Sequence, residues 1–375
     1  MRSVDAPSES TPPPGRPPAV RRRVVIGIVA VTIAGLVAAG VGLVLSNRES
    51  GPRVEEPVEE AQAGIWISTD EIARLPTTGP AWDRVREYAL DDWGAPRIDD
   101  QNSNHDVHTL AGALYTARTG DAAMRDKVVE ALTAVEGTWS DEILALSRNL
   151  LSYVVAADVI GYRSESFERW LDESLRRPGQ SRAGIETLLE SALRDPSNHG
   201  AHARASTIAV ARYRGDDETV GVVAARFHDW LGRSDAGFEW RELDWQADPE
   251  NPRGVNAPGS QIDGIDVDGV LPEEQRRSGG FTTSPPREPY VWEGLQGTIA
   301  TAELLDRSGY EPWDWEDEAL RRALVWLHDE NAYPAEGDDR WIPWIVNARY
   351  GTDFPAESPT RPGKNIGFSD WTHAG

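Results

Sequence analysis

Apolar residues recur every three or four positions along most of the chain after Trp66. This period is typical of amphipathic α-helices, and strand-like alternation is scarce, with short strands expected only near Arg340–Val346. The predicted helices are Trp82–Trp93, His105–Arg118, Ala122–Val135, Asp141–Val159, Glu165–Arg176, Gly184–Leu193, His199–Tyr213, Glu218–Leu231, Tyr290–Asp306 and Glu316–Asp329. The pattern therefore predicts an all-α domain built of helical hairpins.

A sequence repeat relates several of these helices. Two tripeptides match, each with a second histidine further on: Ser103-Asn104-His105 with His108, and Ser197-Asn198-His199 with His202. A third predicted helix ends before Gly309, and counting back from there by the distance between Ser103 and Gly120 leads to Trp292, beside the helix start at Tyr290. Repeated hairpins bury their apolar faces against their neighbours, either as an open stack or as a ring. We predict an incomplete α/α toroid whose helix ends at His105, His199 and Tyr290 share one rim.

Residues 232–289 interrupt the helical pattern and are rich in Gly, Pro and Asp. A long irregular segment inside a compact domain is often functional. The alternative is a covering loop with ordinary Asp-Gly turns. Asp263, Asp266 and Asp268 favour turns over a calcium loop, because no bidentate glutamate follows at the expected position.

A long uncharged segment lies near the N-terminus. Val24–Leu45 carries no charged residue and is long enough to cross a bilayer as a helix. Arg21, Arg22 and Arg23 precede it, which places that end in the cytoplasm by the positive-inside tendency. We therefore predict a disordered cytoplasmic tail at 1–23, a transmembrane anchor at 24–45, an acidic linker at 46–62, and an extracellular domain at 63–375. The predicted location is the cell membrane, through this single pass.

Composition limits the possible partners. The formal net charge is −24, which disfavours nucleic acid and other polyanions. An acidic glycan would need a locally positive cleft, which we expect to be lined by Arg277 and Arg148. The chain has no cysteine, and its paired histidines lack the spacing of helical zinc sites, so neither a metal nor a cofactor is expected.

Three motifs resemble those of the alginate lyases of the α/α-toroid type. The sequence Leu271-Pro-Glu-Glu-Gln-Arg-Arg277 is followed by Tyr290-Val-Trp292 at a helix start, and Ser197-Asn198-His199 lies upstream. The family usually has Asn at position 197 and His at position 291, where this chain has Ser197 and Val291. The gap between Arg277 and Tyr290 is also longer here. The resemblance implies a polysaccharide lyase that cleaves a uronate-containing glycan such as alginate by β-elimination.

The resemblance also implies roles for individual residues. Asn198, His199 and Arg277 would hold the substrate carboxylate, and Tyr290 would take the C5 proton and return one to the leaving O4. His199 could serve as the base for sugars of the opposite C5 configuration, and Arg276 could replace Arg277 in register. Candidate substrate-binding residues on the same rim are Asn104, His105, Arg148, His202, Arg276 and Trp292.

Two other functions fit the same fold. An inverting glycoside hydrolase would need two carboxylates roughly 6.5–9.5 Å apart. The available acids are Asp106, Asp263, Asp268, Glu273 and Glu274. A non-catalytic surface protein that binds a glycan would need no converging catalytic groups. The reaction product separates the first two, because only a lyase leaves an unsaturated uronate that absorbs ultraviolet light.

Overall fold

The computed structural model describes residues 53–59, 61–181, 184–234, 237–361 and 363–374, and these are predominantly helical, as predicted. The predicted cytoplasmic tail at 1–23 and the predicted membrane span at 24–45 lie outside the described residues. Within the ranges just given, no helix is both long and apolar enough to cross a bilayer.

The α-helices of the described residues are numbered in chain order. They are α1 Thr69–Arg74, α2 Pro80–Leu90, α3 His105–Thr119, α4 Ala122–Val135, α5 Ile143–Val159, α6 Glu165–Arg176, α7 Leu188–Arg194, α8 Asn198–Arg214, α9 Asp217–His228, α10 Pro272–Gln275, α11 Pro289–Asp306, α12 Trp315–Val325, α13 Ile342–Tyr350 and α14 Ser369–Thr372. Single 3₁₀ or π turns lie at Asp229–Arg233, Leu243–Trp245, Arg276–Ser278, Trp326–Glu330 and Asp339–Trp341. Each of the ten predicted helices overlaps an observed helix, and their ends differ by a few residues.

Strands are confined to the irregular segment within the described residues. The strands β1 (Gln261–Ile262) and β2 (Ile265–Asp266) pair antiparallel. The expectation of strands near Arg340–Val346 is wrong, because α13 begins there. Its apolar residues Ile342, Ile345 and Val346 are buried at helical spacing, and a proline in the first turn suits a helix start.

Four long helices form the centre of the domain. In chain order, α3 packs on α5, α5 on α8, and α8 on α11. The C-terminal ends of α8 and α11 meet at Gln62, which accepts a hydrogen bond from Arg212 and donates one to the carbonyl of Arg307 at 2.9 Å. Tyr213 at the end of α8 also donates to the carbonyl of Tyr162, just beyond α5. These three helices therefore run in one direction, and their N-terminal ends lie together.

The segment 363–374 contacts helices α2, α5 and α8. Asn365 is fully buried, and its backbone N–H donates to the carbonyl of Arg148 in α5 at 3.0 Å. Further along, the Trp371 ring lies against Trp82 of α2 with centroids 5.2 Å apart, and Asp370 pairs with Arg84. The segment thus connects α5 and α8 with α2.

Residues 53–59, expected to belong to a solvated linker, lie against the domain. Arg53 pairs with Asp229 at 2.6 Å, and Glu55 pairs with Arg233. The backbone N–H of Glu59 donates to the carbonyl of Gly309. At least one carboxylate of this acidic segment, Glu55, therefore pairs with an arginine of the domain.

A buried carboxylate holds the end of α11 that lies away from Tyr290. Glu303 is fully buried and receives Arg349 at 2.7 Å and His373 at 3.4 Å. Burial raises the pKa of Glu303, but the hydrogen bonds and charges of His373 and Arg349 outweigh it and lower the pKa from 4.5 to about 2. A carboxyl whose folded pKa is depressed stabilises the fold above its unfolded pKa, and this stabilisation is lost as the pH falls.

We expect Glu303→Gln to remove a stabilisation of about 2–3 kcal/mol at pH 7. The difference in unfolding free energy between wild type and variant, from denaturant titrations, should shrink between pH 5 and pH 2. The two proteins are compared at each pH because Asp306, whose pKa burial raises to about 6, acts in the opposite direction. A difference that does not change with pH would contradict the assignment.

Candidate active site

The start of α8 is fixed by a local turn. Asp195 accepts hydrogen bonds from the backbone N–H and the hydroxyl of Ser197, at 2.9 and 2.7 Å. The Ser197 hydroxyl in turn accepts from the N–H of His199, an N-terminal cap. A Cβ at Gly200 would lie 1.9 Å from the Asp195 carbonyl oxygen, so glycine is required there. The sequence therefore sets the positions of Asn198 and His199 locally.

Asn198 is only 1% exposed. Its side-chain Oδ1 is buried and has no hydrogen-bond partner within the described part of the chain. Buried polar atoms normally have partners, so an unpaired amide oxygen at a helix start is a candidate ligand contact.

Glu274 connects the ends of α8 and α11. Its Oε1 accepts the backbone N–H of Asn198, and its Oε2 lies 3.6 Å from Nε of Arg277. Gly294 leaves room for it, since a Cβ there would lie 3.1 Å from Cγ of Glu274. Glu274 therefore holds Asn198, Arg277 and the first turn of α11 together.

Arg277 lies over the ring of Tyr290. The guanidinium carbon is 3.6 Å from the ring centroid, a cation–π contact. Tyr290 is 42% exposed, and Glu288 accepts its backbone N–H at 3.1 Å to cap α11. The structure thus brings Asn198, Arg277 and Tyr290 together through Glu274, with His199 next to Asn198.

A second set of contacts surrounds Arg148 of α5, which is 4% exposed. Its Nε donates to Nε2 of His202 at 3.3 Å, Nη1 donates to Gln101 at 3.1 Å, and Nη2 pairs with Glu293. The other nitrogen of His202, Nδ1, bonds the side chain of Asn365. Burial and nearby Arg148 hold the pKa of His202 well below its usual range, so His202 is neutral and accepts from Arg148.

Residues that the sequence analysis did not select complete this second set. Lys364 lies 3.4 Å from Glu293 and 4.0 Å from Asp338. Gln296 donates to Asp339 at 2.7 Å and to Asp338 at 3.3 Å. Burial and the neighbouring Asp338 raise the pKa of Asp339 to about 7. The only sequence signal was the scarcity of lysine, since the chain has two, Lys127 and Lys364.

Four candidate substrate-binding residues have other surroundings. Asn104 is exposed at the start of α3. His105 bonds the Tyr153 hydroxyl at 2.7 Å, and burial lowers the pKa of His105 to about 4. Trp292 is buried against His328 and Tyr333, and Arg276 pairs with Glu242 and Glu273. Tyr153, the partner of His105, lies more than one turn after Arg148 in α5.

Both arginines expected to line a positive cleft have carboxylate partners. Arg277 faces Glu274, and Arg148 faces Glu293. Lys364 also faces Glu293, so these two cations share one partner. Helical periodicity does not reveal which carboxylate will lie opposite an arginine, so these pairings could not be predicted from the sequence.

The chain matches no known protein family and no curated protein. Among solved structures it resembles the alginate lyase A1-III of Sphingomonas species A1, with 11% identity, a TM-score of 0.46, and coverage of 90% of this chain and 94% of that one. A second match is the apo form of a histidine-to-alanine variant of alginate lyase A1-III, with 12% identity, a TM-score of 0.44, and coverage of 88% and 92%. We therefore infer function from the side chains of this chain alone.

Proposed function

We propose that the protein is a polysaccharide lyase that cleaves a uronate-containing glycan by β-elimination. The observation that carries the proposal is the contact of Arg277 with Tyr290, 3.6 Å from ring centroid to guanidinium carbon, beside Asn198 and His199. Asn198 and His199 are far from Arg277 and Tyr290 in the chain, so the link between the two pairs is a property of the tertiary fold. We further propose that α3, α5, α8 and α11 form the inner layer of an incomplete α/α toroid, displayed outside the cytoplasm by the predicted anchor.

The proposed chemistry is proton transfer on one face of the sugar. Tyr290, as the phenolate, takes the proton from C5 of the uronate, the C4–O4 bond breaks, and the C4–C5 double bond forms. The same hydroxyl then gives its proton to the leaving O4. Asn198, His199 and Arg277 offset the charge of the carboxylate, which makes the C5 carbanion accessible. Tyrosine can act in both steps because the transferred proton stays on one oxygen.

Two arginines lie near Tyr290. The reference pKa of tyrosine is roughly 10, so a phenolate at neutral pH needs positive charge nearby. Arg277 lies over the ring face, and Arg148 pairs with Glu293 in the same turn of α11. Arg148 keeps its charge at neutral pH, since burial lowers its pKa only to about 10.

One observation favours an inverting glycoside hydrolase as the second candidate. Asp339, with a pKa raised to about 7 by burial and by Asp338, can remain protonated at neutral pH. A protonated carboxyl is the general acid that glycoside hydrolysis needs. Glu293 and Asp338 are the nearby carboxyl groups that would assist it. Asp339 was not among the acids selected from the sequence.

The test is a screen of the purified full chain against alginate, glucuronan, hyaluronan and pectate. A lyase produces an unsaturated uronate, and the ultraviolet absorbance rises together with the number of reducing ends. New reducing ends without absorbance would contradict the lyase proposal and favour the hydrolase. Binding without any new reducing ends would favour a non-catalytic protein.

A further inference from the structure

Glu293 lies one turn from Tyr290 on the same helix. Residues three apart on a helix share a face, with Cβ atoms about 5–6 Å apart. The Glu293 side chain is 24% exposed, so it can be reached from solvent. It therefore lies beside the proposed catalytic tyrosine, on the surface that a neighbouring sugar ring would contact.

Two cations converge on Glu293. Nη2 of Arg148 pairs with its Oε2, and Nζ of Lys364 lies 3.4 Å from its Oε1. Lys364 is also 4.0 Å from Asp338, which shares Gln296 with Asp339. No positive charge is left over in this group. A second substrate carboxylate placed here would meet Glu293 and Asp338.

The surroundings of the catalytic tyrosine differ from this group. Arg277 is 3.6 Å from its carboxylate partner, longer than a hydrogen bond, and its guanidinium lies over the Tyr290 ring. Asn198 adds an uncharged amide with an unpaired, buried oxygen among the described residues. The amide oxygen of Asn198 is an acceptor and suits a sugar hydroxyl, whereas Arg277 can hold one substrate carboxylate. The position beside Glu293 repels a second one.

We propose that Glu293 determines specificity by selecting a glycan in which the cleaved uronate is flanked by a sugar without a carboxylate. The inference rests on the proposed lyase function. Hydroxyl or acetamido N–H groups of the uncharged sugar would donate to Glu293 and Asp338. In a polyuronate the neighbouring ring brings a carboxylate to the same place, and like charges at an interface are strongly disfavoured.

The test compares two polymers with the same uronate. Hyaluronan alternates glucuronate with N-acetylglucosamine, whereas glucuronan is glucuronate throughout, so the C5 configuration is matched. For the full wild-type chain we expect kcat/KM on hyaluronan to exceed that on glucuronan by about tenfold or more, the effect of one unfavourable close charge contact. Glu293→Gln should lower KM for glucuronan about tenfold and raise KM for hyaluronan, because the uncharged sugar loses a carboxylate acceptor, so the two effects have opposite signs.

Glu311→Gln is the matched control. Glu311 is exposed, and its substitution removes the same charge from another part of the protein. It should change neither KM. Equal or better cleavage of glucuronan or alginate by the wild type would overturn the specificity proposal and leave the lyase proposal intact. So would a Glu293→Gln variant that changes both KM values alike. If no polymer yields an unsaturated product, the lyase proposal fails, and the specificity proposal fails with it.

Discussion

Replacing Tyr290 with phenylalanine is expected to lower kcat by about a hundredfold to ten-thousandfold, the usual effect of losing a general acid–base group. The KM should change little, because the ring remains and Arg277 can still lie over its face, 3.6 Å from the centroid. A fall in kcat and kcat/KM together marks an interaction made only in the transition state. Steady-state kinetics on the best substrate from the polysaccharide screen provide the measurement.

Tyr115→Phe is the matched control for this prediction. Tyr115 is half-buried, its ring stacks on Trp82 with centroids 5.7 Å apart, and it lies in α3 away from α11. The same loss of one hydroxyl there should leave kcat unchanged. Arg277→Ala should instead lower kcat and raise KM, since it removes both carboxylate binding and charge stabilisation. Normal turnover by Tyr290→Phe would refute the mechanism even for a protein that is a lyase.

Replacing Gly297 with alanine is the second change with a large expected effect. Gly297 lies where α11 and α8 touch, and a Cβ there would be 2.4 Å from backbone atoms of Ala201 and His202. Alanine is preferred over glycine inside a helix by about 1 kcal/mol, so the contact must overcome that gain. We expect a net loss of about 1–3 kcal/mol in unfolding free energy, typical of overpacking.

Activity should fall in the same variant under conditions where it remains folded. α8 carries Asn198 and His199, whereas α11 carries Tyr290, so separating the helices separates the proposed catalytic groups. Gly294→Ala is the stability control, because the nearest atom is Cγ of the Glu274 side chain at 3.1 Å, a looser contact than the 2.4 Å to backbone atoms at Gly297. It should lose less stability in the same denaturant titration. Equal losses of unfolding free energy in the two variants would show that the close contact between α8 and α11 at Gly297 does not determine stability.

The sequence was informative where structure is determined locally. The repeat and the apolar period predicted helices starting at His199 and Tyr290, and the structure starts α8 at Asn198 and α11 at Pro289. Both starts have local causes: the Ser197 cap, and a proline in the first turn with Glu288 as the cap. Asn198, Arg277 and Tyr290 were selected by motif. In the structure Arg277 lies over the Tyr290 ring, and Glu274 links Arg277 to the backbone of Asn198, whereas their catalytic roles stay predictions.

The sequence was uninformative where contacts join distant segments. Nothing in the spacing indicated that Glu293 would pair with Arg148 and Lys364, because the three belong to segments far apart in the chain. Asn365 was likewise missed as the partner of His202. Trp292 matched the repeat, but its indole packs in the core beside His328. Periodicity shows which face of a helix is buried, but it does not show which residues of other segments contact that face.

The position of the segment 363–374 has a consequence for the biosynthesis of the protein. Every helix that it joins is synthesised earlier, and Asn365 reaches His202 only after this segment has emerged. Until then the face of Trp82 that Trp371 covers is exposed on the nascent chain. A chain arrested before residue 363 should therefore bind chaperones through that face and be degraded readily, because folding during synthesis proceeds from the N-terminal side.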